Sequence, residues 1–293
     1  MTQLAFLNGR FLPEAELTIS IHDVGFVQGV TVAERVRTFG GRLFKLAEHL
    51  DRLRRSLAIV DIAIVFPTQQ LSAAAEELVQ QNRTELPSAS DLSLVVFVTA
   101  GCGEPQVAMH TMVLPFAEMH NKFQRGQRLV IPEIRQVPTT CWPAELKCRS
   151  RMHYYLADKQ AVRSDPESRA LLLDQQGFVS EASTANVVAY IPEEGLVSPP
   201  TEKILPGISI ATLEEIAASM TIPFVYRDIT PHQLRAANEV YLCSTSPCIV
   251  PAVAIDGHAI GTGTPGPMHG QLIAAWSERV GVDIMEQAQR MSG

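Results

Sequence analysis

The chain has 293 residues, of which 46% are hydrophobic and 19% charged, enough sequence for two domains with substantial cores. Its 24 basic and 31 acidic side chains leave a formal charge of -7, which argues against a general nucleic-acid or anionic-membrane surface. The five cysteines, Cys102, Cys141, Cys148, Cys243 and Cys248, are odd in number and lack paired metal-ligand spacing, as expected of a reduced cytoplasmic protein without a metal site.

The N-terminal run MTQLAFLNGRFLPEAEL reads as a strand, an Asn8-Gly9 turn and a second strand, with no signal-peptide pattern. No apolar run approaches the roughly twenty residues of a membrane span. Residues 30–38, VTVAERVRT, alternate as a strand, and Gly40-Gly41 turns the chain back. Leu46, Leu50, Leu53, Leu57 and Val60 recur at spacings of four and three, the apolar stripe of a helix. A second helix is predicted over 68–81, followed by the polar loop NRTELPSAS and buried strands at LSLVVFVT and TMVLPF. The polar stretch MHNKFQRGQ then suggests a boundary, giving a first domain at 1–118, a linker at 119–127 and a second domain at 128–293.

Beyond it come a strand at RLVIPEI, a helix after Lys147, and strands at ALLLD, FVSEAS and NVVAYI. A helix after Pro206-Gly207, a strand at FVYRDI, a short helix at PHQLRAA, strands at EVYLCST and VPAVAID and a C-terminal helix complete an α+β chain.

Lys147, opening LKCRSRMHYYLADKQA, and Glu181, opening EASTANV, together suggest a pyridoxal 5'-phosphate site. Such a site needs an amine able to lose its proton near neutral pH and a carboxylate to keep the pyridine nitrogen protonated. Arg149 and Arg151 offer the positive charge that lowers a lysine pKa, or stand as surface charges. Gly207, Ile208 and Ser209 open a helix whose N–H groups suit a phosphate, although Ser209 reads equally as a cap. Ser244, Thr245 and Ser246 end a strand before Pro247, with hydroxyls for a phosphate or a turn, and Arg52 in EHLDRLRRS offers a cation. There is no HExxH, GxSxG or Walker A pattern.

The order of FLNGRFL, DVGFVQGV, EHLDRL, LKCRSRMHYYLADKQA, EASTANV, ILPGIS and YLCSTSPCIVPA resembles the class IV aminotransferase family, the fold-type IV pyridoxal phosphate enzymes, over nearly the whole chain. The resemblance implies a smaller α/β domain followed by a larger one with a β-barrel-like core, and a homodimer. It also implies that Lys147 carries the cofactor and shuttles the proton, that Glu181 partners the pyridine nitrogen, and that Arg52, Ile208, Ser209 and Thr245 bind phosphate beside Gly207 and Ser246. The family's tyrosine near the cofactor hydroxyl falls on Tyr154 or Tyr155.

The same resemblance implies transfer of an amino group between an amino acid and a 2-oxo acid, branched-chain-like in substrate. Arg35, Arg37, Arg151 and Tyr155 are the candidate substrate contacts. Ala33 stands where branched-chain and D-amino acid enzymes tend to carry an aromatic, and Ala100 where D-amino acid transaminases carry an arginine. Glu34 resembles the aminotransferase pattern, and Arg151 that of 4-amino-4-deoxychorismate lyases, which release pyruvate and 4-aminobenzoate. A pyridoxal phosphate-binding protein without turnover is the third reading.

Overall fold

The computed structural model describes residues 3–84 and 90–292, so residues 85–89 of the expected polar loop lie outside the described residues. The chain divides into two compact units, Met1–Leu114 with Leu146–Ser150, and Pro115–Glu145 with Arg151–Gly293.

The first unit is built on an antiparallel sheet. Strands β1 (Leu4–Leu7) and β2 (Arg10–Pro13) form the expected hairpin, with Asn8 and Gly9 at positive φ. After the short α1 (Val24–Val27) come β3 (Thr31–Phe39) and β4 (Arg42–Leu43), then α2 (Leu46–Ile59) and α3 (Thr68–Arg83). Strands β5 (Leu92–Thr99) and β6 (Gln106–Val113) complete the order β2-β1-β6-β5-β3-β4. Val32 and Val36 of β3, with Leu94, Val96 and Val98 of β5, meet Leu50, Leu53 and Leu57 of α2 in one core, as the period-two and period-3.6 patterns require. Strand β6 begins earlier than TMVLPF suggests, at Gln106 opposite Thr99 of β5, and stops at Val113 ahead of Pro115, which cannot donate to a ladder.

The second unit opens with α4 (Phe116–Arg125), which occupies most of the segment expected to be a linker. The correction has a simple cause: Phe116, Met119 and Phe123 recur at helical spacing and are buried, while the polar residues between them face outward. Strand β7 (Gln127–Val130) follows, then α5 (Met152–Ser164), β8 (Ser168–Leu173), β9 (Val179–Ala182), β10 (Ala185–Ile191) and β11 (Gly195–Ser198). The remainder is α6 (Ile208–Ser219), β12 (Phe224–Tyr226), α7 (Pro231–Ala236), β13 (Glu239–Ser244), β14 (Cys248–Ile255), β15 (His258–Ala259), α8 (Pro267–Val280) and α9 (Ile284–Arg290).

Pairings β10-β13-β14-β7-β8-β9 close through β9–β10 into a six-stranded barrel, with β11 and β12 extending it beyond β10. Closure removes the open edges that a free sheet would expose. The barrel-like core implied by the family resemblance is therefore present.

Leu146–Ser150 belongs with the first unit for a backbone reason. Val32 and Cys148 form an antiparallel bridge, Ala33 N–H donates to the Lys147 carbonyl at 3.1 Å, and Arg149 N–H donates to the Thr31 carbonyl at 2.8 Å. This stretch lies along β3 as a short extra strand, so the units are interleaved in sequence and do not divide at a single linker.

Candidate active site

In the first unit, the face of α2 turned toward β3 carries His49, Arg52 and Ser56, three and four residues apart and all buried. Glu34, between the core residues Val32 and Val36 of β3, is 1% exposed and receives His49 and Arg52. Arg52 Nε donates to Glu34 Oε1 and Arg52 Nη2 to Oε2, both at 2.7 Å, a two-point guanidinium–carboxylate pair. His49 Nδ1 lies 2.8 Å from Glu34 Oε2. Burial would push the Glu34 carboxyl up, but hydrogen bonds from Arg52 and His49 and the charges of Arg52 and Lys147 outweigh it and bring it down to about 2. Burial pushes His49 down, leaving a neutral imidazole.

The Lys147 backbone is held from two sides, its N–H donating to Ser56 Oγ at 3.1 Å and its carbonyl accepting from Ala33. Arg35 and Arg37 lie on the opposite face of β3 from Glu34. Arg35 directs Nη2 toward the Met112 sulfur at 3.7 Å. Arg37 is buried, its guanidinium 3.9 Å from the Phe39 ring centroid and its Nε donating to the Thr38 carbonyl.

In the second unit, Glu181 on β9 is paired with Asn186 on β10 across the tight turn at Ser183-Thr184. Its buried carboxylate accepts four hydrogen bonds. Asn186 Nδ2 and Leu205 N–H reach Oε1, both at 2.9 Å, while Gln136 Nε2 at 3.0 Å and the Tyr154 hydroxyl at 2.9 Å reach Oε2. Donors on both oxygens fix the carboxylate's direction. Burial first, and then the Glu181 charge, raise the Tyr154 hydroxyl well above its ordinary value, so it stays a neutral donor.

The adjacent tyrosines of α5 separate cleanly: Tyr154 is the Glu181 partner, whereas Tyr155 is 60% exposed with Lys159 Nζ 5.5 Å from its ring centroid. Arg151 sits at the N-cap of α5, and its charge tempers the Tyr154 shift. No local pattern in the sequence ties Gln136 or the Leu205 amide to Glu181, whereas Asn186, five residues on across a turn, is the partner a hairpin places opposite it.

Gly207 caps α6 without a side-chain hydrogen bond, leaving Ile208 and Ser209 in the first turn. A Cβ at Gly207 would lie 2.1 Å from Asn186 Oδ1, so the close approach of the α6 start to the Glu181 cluster depends on glycine. Ser209 is buried in the first turn of α6. Thr245 and Ser246 lie in the turn between β13 and β14, which Cys248 enters at φ 65°. A helix start without a side-chain cap suits an anion, and a buried carboxylate with its direction fixed by donors suits a protonated heterocyclic nitrogen. With the Lys147 amine, these residue types match the phosphate, pyridine nitrogen and aldehyde of pyridoxal 5'-phosphate. Among the described residues no group of three or more His, Cys, Asp or Glu is placed to hold a metal ion.

The family model for amino-transferase class IV matches residues 31–255. The D-alanine aminotransferase of Bacillus licheniformis is 28% identical over 276 residues, covering 89% of this chain and 91% of the relative. Among solved structures, the T.th. branched-chain amino acid aminotransferase with pyridoxamine 5'-phosphate superposes with a TM-score of 0.88 at 23% identity, over 96% of this chain and 95% of that one. The branched-chain aminotransferase of Thermoproteus uzoniensis with norvaline gives a TM-score of 0.83 at 25% identity, over 95% and 94%. With the match running from the start of β3 to the end of β14, this chain belongs to the class IV aminotransferases and is a pyridoxal 5'-phosphate-dependent enzyme.

Proposed function

We propose that the enzyme moves an amino group between a branched-chain-like amino acid and a 2-oxo acid. The observation that carries the site assignment is the four-donor cage around the buried Glu181 carboxylate. Glu181 then holds the proton of the pyridine nitrogen, with Tyr154 and Asn186 keeping it in place. Arg52, the Ile208 and Ser209 N–H groups, the Ser209 hydroxyl, Thr245 and Ser246 hold the phosphate, and Gly207 lets the α6 start close on Asn186. Bound pyridoxal 5'-phosphate supplies the electron sink that stabilises negative charge at the substrate Cα.

Lys147 would hold the cofactor through its Nζ, and once the substrate amine takes that place the freed Nζ would accept the proton from the substrate Cα. Of the substrate candidates we keep Arg35 and Arg151 for carboxylate recognition. Arg37 is enclosed beside Phe39, and Tyr155 faces outward against Lys159. Transamination is favoured over lysis because Glu34, the residue that resembles the aminotransferase pattern, is built into a buried pair with Arg52. The branched-chain preference draws on the Thermoproteus uzoniensis likeness, and a cytoplasmic homodimer goes with the same reading.

The test is to incubate purified holoenzyme with 2-oxoglutarate and leucine, isoleucine, valine or D-alanine, and separately with aminodeoxychorismate. Formation of the branched-chain 2-oxo acids supports the proposal. Turnover of D-alanine alone overturns the substrate preference, and pyruvate with 4-aminobenzoate overturns transamination. No turnover, or a visible cofactor band unchanged in Lys147→Ala, overturns the catalytic assignment. Light scattering reads the oligomeric mass.

A further inference from the structure

We propose that Glu34 is a positioning residue of this active site with two tasks: it holds the Arg52 guanidinium by one edge, and it balances the Lys147 ammonium with a permanent negative charge. The inference rests on Lys147 being the cofactor lysine.

The geometry lies within the first unit. Glu34 uses both oxygens on Arg52 and one of them also on His49, so the guanidinium and imidazole orientations are set by one carboxylate. That carboxylate is buried on β3 one residue from Ala33, whose N–H binds the Lys147 carbonyl. One turn beyond Arg52, Ser56 binds the Lys147 N–H. The strand and helix that present Glu34 and Arg52 therefore also hold the lysine backbone. The charges acting on Glu34 include both Arg52 and Lys147, and its carboxyl is held down to about 2, so it is ionised throughout the neutral range. His49 experiences the same two cations, and burial keeps it neutral. Arg149, two residues along the Lys147 segment, adds a further positive charge.

Removing Glu34 takes away the carboxylate that pairs the buried Arg52 and whose charge acts together with that of Lys147. An anion near an amine stabilises its protonated form, so removing Glu34 lowers the amine's proton affinity. It also frees the Arg52 side chain to leave the orientation in which it meets a phosphate. A carboxylate whose role was confined to fold stability would not alter the proton affinity of the cofactor linkage in chains that still fold.

The test compares wild type, Glu34→Gln and Glu34→Asp as holoenzymes by titrating the visible cofactor band with pH, and as apoproteins by titrating pyridoxal 5'-phosphate through tryptophan fluorescence. In E34Q the band midpoint is expected to fall by about one pH unit or more, with roughly tenfold weaker cofactor binding. In E34D, which keeps the charge but shortens the reach, the midpoint stays within about half a unit while binding weakens. If E34Q strands Arg52 and does not fold, the E34Q/R52Q double variant measured against R52Q isolates the carboxylate in the same way. A midpoint that does not move in a folded comparison, or that is absent in both members of it, overturns the inference. A wild-type band unaffected by Lys147→Ala would instead overturn the cofactor-lysine assignment.

Discussion

Gly207 gives the sharpest mechanical test of the Glu181 cluster. Its backbone, at φ −69° and ψ 135°, is one that alanine adopts freely, so Gly207→Ala adds no conformational strain. The added methyl would meet Asn186 Oδ1 at 2.1 Å and Ile210 Cγ2 at 3.3 Å, so the amide must retreat by about 1 Å or the α6 start must lift. Asn186 Nδ2 donates to Glu181 Oε1 at 2.9 Å and to the Leu205 carbonyl at 3.0 Å, and both bonds are at risk. A hydrogen bond to a charged acceptor contributes about 1.5–3 kcal/mol and a neutral one about 1 kcal/mol. Against this, alanine restricts the unfolded chain and recovers about 0.4–1 kcal/mol. The net expectation is a loss of roughly 1–3 kcal/mol together with weaker cofactor binding. The control is Gly270→Ala, an exposed position inside α8 with nothing within 4 Å of the added Cβ, which should gain about 0.5–1 kcal/mol. Denaturant unfolding of both variants, with pyridoxal 5'-phosphate titration of each, decides the matter. G207A matching wild type in stability and affinity would refute the proposed link between the α6 start and Glu181.

The Glu34 carboxyl sits at about 2 against an ordinary 4.5, so its contribution to stability is complete above pH 4.5 and is lost as pH falls toward 2. That difference corresponds to about 3 kcal/mol. Unfolding free energies measured at intervals from pH 6 to 3 should fall more steeply for wild type than for E34Q, and parallel curves would contradict the assignment. Tyr154→Phe removes one of the two donors on Glu181 Oε2 and is expected to cost about 1–2 kcal/mol and weaken cofactor binding several-fold, whereas Tyr155→Phe should change neither. Asp23, buried at the start of α1, accepts from Gly25 N–H, Gly101 N–H and the Thr99 hydroxyl. Asp23→Ala strands all three donors and should lower stability by about 2–4 kcal/mol in thermal or denaturant unfolding.

What was legible in the sequence was whatever a local period carries. The α2 leucines, the alternation of β3 and the run of β5 each report one face of one element, and each element formed where its pattern lay. Helix α4 escaped because its polar residues outnumber its apolar ones, and composition alone hides a stripe that spacing reveals. The site divides along the same line. His49 and Arg52, three residues apart on α2, share a face that helical geometry determines, but their partner Glu34 is supplied by the packing of a strand against that helix. The attachment of Lys147 to β3 involves backbone groups of an irregular segment, whose partners no side-chain pattern encodes. The choice between Tyr154 and Tyr155 depends on which way the first turn of α5 faces, and only Tyr154 meets the carboxylate that β9 presents. Glu181 shows the division within one residue: the sequence displays a carboxylate in EASTANV, while its direction comes from four donors on separate stretches of chain. On the proposed function, substrate choice is another such long-range property, since Ala33, Arg35 and Arg151 would act only through what packs around them.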